Sequence, residues 1–314
     1  MMNIILDTDI GPDCDDVAAL AMLNLYARDG LCRILGIGHC TSSPYGAGCI
    51  DAICRYYGHD DVPIGTFKGE GFLVGEAFSR YNRHLMETMP NRYRDHQPED
   101  AVTLYRRLLS QAEDGSVEFI SIGPLNNLAN LLNSPADEVS PLNGVELVRR
   151  KVRRLTAMAG VFPSQVAEEN EVAFAWLNKP AVEEPEFNVN CDLRAAQRVA
   201  NDWPTEKVYL GWEAGMVDTC APLQQTAEEG NPVRVAYRLY TGAGRLSWDL
   251  LTVEYAVHPQ SDLLRTSGKG FVTFDDRSRT IWTPDPQGDS CFLEWNKPAA
   301  EIADYINTLL ARSR

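Results

Sequence analysis

The sequence predicts an α/β fold, a mostly parallel central sheet flanked by helices in a Rossmann-like alternation. Three observations predict it. Short β-rich runs alternate with helix-period stretches through most of the 314 residues. The runs stop at turn residues, as VEFISI does at Gly123-Pro124. Two polar, irregular stretches interrupt the alternation without ending it, so they read as insertions and not as linkers.

In order, residues 3–6 (NIIL) read as a buried strand and 17–28 (VAALAMLNLYAR) as a helix. A second strand follows at 33–37 and a second helix at 48–57. Residues 117–122 form a strand, 126–132 a helix, and 153–158 and 207–210 two further strands. The polar stretches are 68–100, rich in Arg, Asn, Gly and Pro, and 163–185, rich in Glu and Pro. In such folds these segments lie at the carboxyl edge of the sheet and cover the site. The C-terminal third is mixed: helices at 232–240 and 248–257, a β stretch near 271–282, and a last helix at 299–311. No internal repeat or low-complexity tract divides the chain, and one domain over 1–314 is expected.

Composition excludes several classes. Hydrophobic residues make up 44% and charged residues 23%, the balance of a globular protein. A net charge of -15 repels a polyanion, so no nucleic-acid partner is expected. The one basic cluster, residues 149–154 (RRKVRR), reads as a solvated edge. Eight scattered cysteines with no CxxC pair suggest reduced, mostly buried thiols, with neither a zinc site nor a disulfide framework. The N-terminus lacks the pattern of a signal peptide and no apolar run reaches transmembrane length, so no membrane partner and a cytoplasmic location are expected.

The most informative segment is LDTDIGPDCDDVAAL, with Asp7, Asp9, Asp13, Asp15 and Asp16 between a strand and a helix. Carboxylates crowded this closely repel one another increasingly as water is excluded, and stay ionised together only around a cation. An all-oxygen donor set suits a hard ion, and the number of carboxylates favours calcium over magnesium. Helix capping explains one or two of the five acids, leaving Asp9 and the Asp15-Asp16 pair without a reason. An EF-hand loop fails on spacing: counted from Asp7, Gly11 is fifth and Ala18 twelfth. A magnesium-dependent phosphatase of the haloacid-dehalogenase type also opens with DxD. It would use the first aspartate as nucleophile, and remains the alternative chemistry.

DTDIGPDCDDVAAL resembles the inosine–uridine nucleoside hydrolase signature, DTDxGxDDxxA. Four further segments agree in order: SIGPLNN (121–127), AMAG (157–160), EFNVNCD (186–192) and SWD (247–249). The resemblance spans residues 3 to about 258. It implies the nucleoside hydrolase fold and a calcium-dependent cleavage of the N-glycosidic bond of a ribonucleoside or related riboside. It further implies that Asp9, Asp16, Asp249 and the Ile122 carbonyl ligate calcium, Asp9 also acting as base toward the attacking water. Asp15 would meet the 2′-hydroxyl, Glu186 and Asn188 the other sugar hydroxyls, and Met158 the ring. A homodimer or homotetramer is expected on the same ground.

The chain departs from the pattern at three places. The aspartate loop carries two extra residues, leaving three roles open for Asp13: replacing a ligand, adding one, or bordering the set. HCTSS (39–43) stands where the family has an asparagine that touches the sugar, with Ser42 or Ser43 as the smaller substitute. Trp248 stands where purine-active members carry a histidine that protonates the leaving base. Tryptophan stacks on a base but delivers no proton. Tyr240, Lys68 and His84 lie in segments able to reach the site, but none is singled out as the acid, and the base preference is not legible. A catalytically weak sugar-binding relative is therefore the second functional reading. His39 is expected to be a satisfied, partly buried histidine, and the remaining tryptophans with Tyr56 and Tyr57 to be core.

Overall fold

A computed structural model describes residues 1–164 and 184–312. Strand β1 (Met2–Thr8) leads to helix α1 (Asp15–Arg28), β2 (Cys32–His39), α2 (Gly46–Tyr56) and the short β3 (Ile64–Thr66). Helix α3 (Asn82–Thr88) and strand β4 (Glu99–Asp100) lie within the first polar stretch. Then come α4 (Ala101–Gln111), β5 (Val117–Ile122), α5 (Asn126–Asn133), α6 (Gly144–Lys151) and β6 (Val152–Met158). Helices α7 (Phe187–Cys191) and α8 (Leu193–Asp202) precede β7 (Glu206–Leu210). A two-stranded ribbon, β8 (Asp218–Thr219) with β9 (Arg245–Leu246), encloses α9 (Pro232–Tyr240) and leads into α10 (Trp248–Val257). Strands β10 (Leu264–Thr266), β11 (Gly270–Phe274), β12 (Thr280–Pro284) and β13 (Ser290–Trp295) precede α11 (Ala299–Leu310).

The main sheet runs β4-β3-β2-β1-β5-β6-β7-β13-β11-β12. Every pairing from β4 to β13 is parallel; β11, β12 and β10 join antiparallel. The order reverses between β1 and β5, since β2 to β4 extend one way and β5 to β7 the other. At that reversal the connections leave in opposite directions and open a crevice beyond the carboxyl ends of the strands.

The central strands are buried on both faces: Ile4, Ile5 and Leu6 are fully inaccessible. One apolar cluster packs α1, α2, α10 and α11 on one face, and a second packs α4, α5, α6 and α8 on the other. Helix α1 is buried from Asp15 to Tyr26, which accounts for its nearly uniform apolar sequence. Helix ends are set by side-chain caps. Asp100 accepts from the Thr103 amide (2.9 Å), Asn143 and Glu146 form a capping box, and Asp192 accepts from the Ala195 amide (3.0 Å). Among the described residues no helix is long and apolar enough to cross a membrane.

Two expectations change. The basic cluster is solvated at Arg149, Arg150 and Arg153, but Arg154 is buried, its Nε donating to Glu118 at 2.7 Å. A buried carboxylate on neighbouring β5 draws the last arginine inward. The first polar stretch is not wholly irregular, since α3 folds within it. It covers the aspartate loop: Asn82 Nδ2 donates to the Ile10 carbonyl at 3.2 Å, and the Tyr81 hydroxyl donates to the Asp13 carbonyl. Residues 165–183 of the second polar stretch lie outside the described residues.

Candidate active site

The strand ends at the sheet reversal converge on a cavity of about 310 Å³. Asp9 follows β1, Asp15 and Asp16 open α1, Ile122 ends β5 and Met158 ends β6. Glu186 caps α7, Asn188 lies in its first turn, and Trp248 and Asp249 open α10. All nine line that cavity.

Carboxylate oxygens of Asp15, Asp16 and Asp249 lie within 4.8 Å of one another. Asp9 stands against Asp16, which also accepts a hydrogen bond from the Thr8 hydroxyl. The Asp249 amide donates to Asp15 Oδ2 at 3.1 Å, tying the start of α10 to the start of α1. Asp9, Asp15, Asp16 and Asp249 are 5%, 2%, 1% and 5% exposed, so water does little to separate their charges. Burial first, and then the charges of one another and of Asp13, hold all four carboxyls well above the ordinary aspartate range. A divalent cation removes both penalties at once, and a set of buried carboxylates suits a hard one. The donor set therefore fits a metal.

Glu186 accepts from the amides of Asn188 (2.8 Å), Val189 (3.0 Å) and Gly160 (3.3 Å). Burial pushes its carboxyl up to about 7 despite these donors. Asn188 Nδ2 is held by the Met158 carbonyl at 3.1 Å, with the Met158 sulfur 3.2 Å away. This side of the cavity is thus braced by main-chain groups.

Beneath it, Asp7 is fully buried, accepting from the Tyr105 hydroxyl and from Asn127 Nδ2 at 2.9 Å. Gly38 makes this possible, because a Cβ there would fall 1.5 Å from the Tyr105 oxygen. The phosphatase reading needs this first aspartate as an open nucleophile, and Asp7 is sealed in. His39 is fully buried, not partly; its Nε2 meets Thr41 Oγ1 at 3.0 Å, and burial lowers it to about 4.

The remaining expectations sort by geometry. Asp13 also lines the cavity, but its carboxylate is paired with Arg245, whose Nε lies 3.0 Å from both of its oxygens. Ser42 is taken up by the Gly69 carbonyl at 2.6 Å and Ser43 by the Tyr45 amide at 3.4 Å; neither lines the cavity. Lys68 donates to the Pro98 carbonyl at 2.7 Å and His84 is exposed, both outside it. Tyr240 does line it, but its hydroxyl donates to the Pro12 carbonyl at 2.8 Å. Trp248 Nε1 donates to the Trp212 carbonyl at 2.7 Å, and the Arg245 guanidinium lies over the Trp248 ring, 5.1 Å from its centroid.

Trp212, expected in the core, packs half-buried against it and also lines the cavity, as do Phe78, Phe187 and Arg245. Nothing in local periodicity marks them, since each reaches the site from a loop or an element end. Tyr56 and Tyr57 are buried as expected. The eight cysteines are free, all but Cys191 buried.

Comparison with known proteins agrees with this geometry. The family model for inosine-uridine preferring nucleoside hydrolase matches residues 4–307. A search of the curated protein sequences found no match. Among solved structures, an inosine-uridine preferring nucleoside hydrolase from Bacillus anthracis superposes with a TM-score of 0.71 at 17% identity, covering 99% of both chains. A purine-preferring ribonucleoside hydrolase from Gardnerella vaginalis gives 0.72 at 17%, covering 98% of both. A plant nucleoside hydrolase gives 0.68 at 16%, covering 99% of both. With the family matched over nearly the whole chain and the acidic cleft at the sheet reversal, this protein belongs to the inosine-uridine preferring nucleoside hydrolase family.

Proposed function

We propose that this chain hydrolyses the N-glycosidic bond of a ribonucleoside or related riboside with the help of one calcium ion. The observation that carries the reading is the set of four buried aspartates gathered at the strand ends beside a braced polar wall. Asp9, Asp16, Asp249 and the Ile122 carbonyl would hold the ion. When bound, calcium supplies a Lewis acid for the vicinal diol of the sugar and for a water molecule.

The chain's own groups do the rest. Asp9 accepts the proton of the attacking water as its oxygen approaches C1′. Asp15 accepts a hydrogen bond from the 2′-hydroxyl. Glu186 and Asn188 offer an acceptor and a donor to the other hydroxyls, and Met158 packs against the ring. Cleavage runs through an oxocarbenium-like state, which the surrounding carboxylates favour over the neutral ground state. Trp248, with its N–H committed to Trp212, forms an aromatic wall on the leaving-group side.

The test is release of ribose from a panel of purine and pyrimidine nucleosides, with calcium, with magnesium and with chelator. Release that requires calcium supports the reading. Calcium binding without release from any riboside would instead support a sugar-binding relative.

A further inference from the structure

The aspartate loop departs from its family signature at Asp13, and Arg245 meets that departure 232 residues later. Asp13 is fixed before any ligand arrives. The Tyr81 hydroxyl donates to its carbonyl, and its Oδ1 accepts from the Cys14 amide at 2.7 Å. Arg245 gives Asp13 its side edge, the Nε–Nη2 pair. The rings of Tyr240 and Trp248 flank the guanidinium, 5.9 and 5.1 Å from its carbon. Among the described residues Nη1 has no hydrogen-bond partner. The end edge of the fork, Nη1 with Nη2, therefore remains available at the cavity lining.

We propose that Arg245, held by Asp13, takes over the leaving-group side of the site: its end edge donates two parallel hydrogen bonds to two adjacent acceptors on the departing base. This rests on the hydrolase reading above and names the substrate feature which that site selects. A guanidinium stays charged and gives up no proton, so it acts by holding negative charge and not as an acid. As the bond between C1′ and the base nitrogen breaks, its electron pair passes to the base and spreads onto the paired acceptors. The water oxygen bonds C1′ and its proton goes to Asp9. The base takes a proton from solvent after it leaves. A ring nitrogen beside an oxo group, as in the N7/O6 edge of hypoxanthine, matches the fork; the N7/N6 edge of adenine sets a donor against a donor.

The experiment uses the intact protein with calcium supplied, and three substrates: inosine, adenosine and 4-nitrophenyl riboside, whose leaving group departs as a stable anion without help. Wild type should favour inosine over adenosine by roughly ten- to hundredfold. Arg245→Gln should lower kcat/KM for inosine by a similar factor, yet change 4-nitrophenyl riboside by less than about threefold, which also reports a folded site. Asp13→Asn should lower inosine turnover less, by releasing the fork from its mount. Calorimetry should show hypoxanthine binding more tightly than adenine to wild type, and equally to Arg245→Gln. Parallel losses on both ribosides, or no loss on inosine, would overturn the role of Arg245. Absence of ribose release from every substrate, 4-nitrophenyl riboside included, would instead sink the hydrolase reading itself.

Discussion

The floor of the cavity and the wall around Arg245 are built by different means. The floor comes from regular element ends: Asp9 after β1, Ile122 at the end of β5, Met158 at the end of β6, and Asp15, Asp16 and Asp249 in first helical turns. Its position follows from sheet topology, which brings strand ends together wherever the order reverses. The wall comes from Asp13, Trp212, Tyr240, Arg245 and Trp248, joined by side chain-to-carbonyl bonds and one ion pair. Sheet topology places the floor, whereas the wall depends on side-chain contacts between segments distant in sequence.

The largest test of this contrast is Asp9→Ala. Removing the proposed base should abolish turnover, a loss of about a thousandfold or more, while the protein stays folded by circular dichroism. Turnover within about tenfold of wild type would show that the base lies elsewhere.

Asp249→Ala should weaken calcium binding by about a hundredfold in a calorimetric titration, since it removes one carboxylate from the buried set. Unchanged affinity would remove α10 from the metal site.

A third test concerns what supports the wall. Glu213 is fully buried next to Trp212 and accepts from the Phe162 amide at 3.1 Å. Burial raises its carboxyl to about 8. A carboxyl raised on folding favours the folded state fully below its unfolded value, and that contribution is lost as pH rises toward the folded value. Between the two values stability should fall by about 1.4 kcal/mol per pH unit for this one group. Melting temperatures from pH 5 to pH 8, compared with Glu213→Gln, should show a steeper decline in wild type. Superimposable slopes would mean that Glu213 is ionised as folded.

The smallest expected effect is Trp248→Phe, which keeps an aromatic wall but leaves the Trp212 carbonyl without its donor. It should cost about 1 kcal/mol of stability in a denaturant titration. A loss above about 3 kcal/mol would make Trp248 a core residue in effect, and erase the distinction between wall and core.

The floor was legible because charge density and strand-end position are local signals. Five aspartates in LDTDIGPDCDDVAAL call for a cation before any coordinate is known, and EFN and SWD lie where the alternation turns from strand or loop into helix. Helices α4, α6 and α8 carry a local signal too, in Asp100, Asn143 with Glu146, and Asp192 ahead of their first turns, without the charge density that marks the aspartate loop. The parallel seat of β13 beside β7 had no local signal, because a strand after a hairpin carries no mark of which neighbour it will join.

Arg245 shows the limit most clearly. In GAGRLSWD it is one arginine in a polar loop, and Asp13 is one acid among five. The two meet only because ribbon β8–β9 carries the start of α10 back over the aspartate loop. The sequence by itself determined the alternating fold and the cation-demanding loop, both consequences of short-range pattern and local charge, while Glu186 and Asn188 were marked by the family resemblance. Tertiary structure alone decided that Asp13 pairs with Arg245, that Asp7 is sealed beneath the cavity, and that Arg245 and Trp212 line it. Those outcomes depend on which distant segments pack together, a choice that is made by burial across the whole chain.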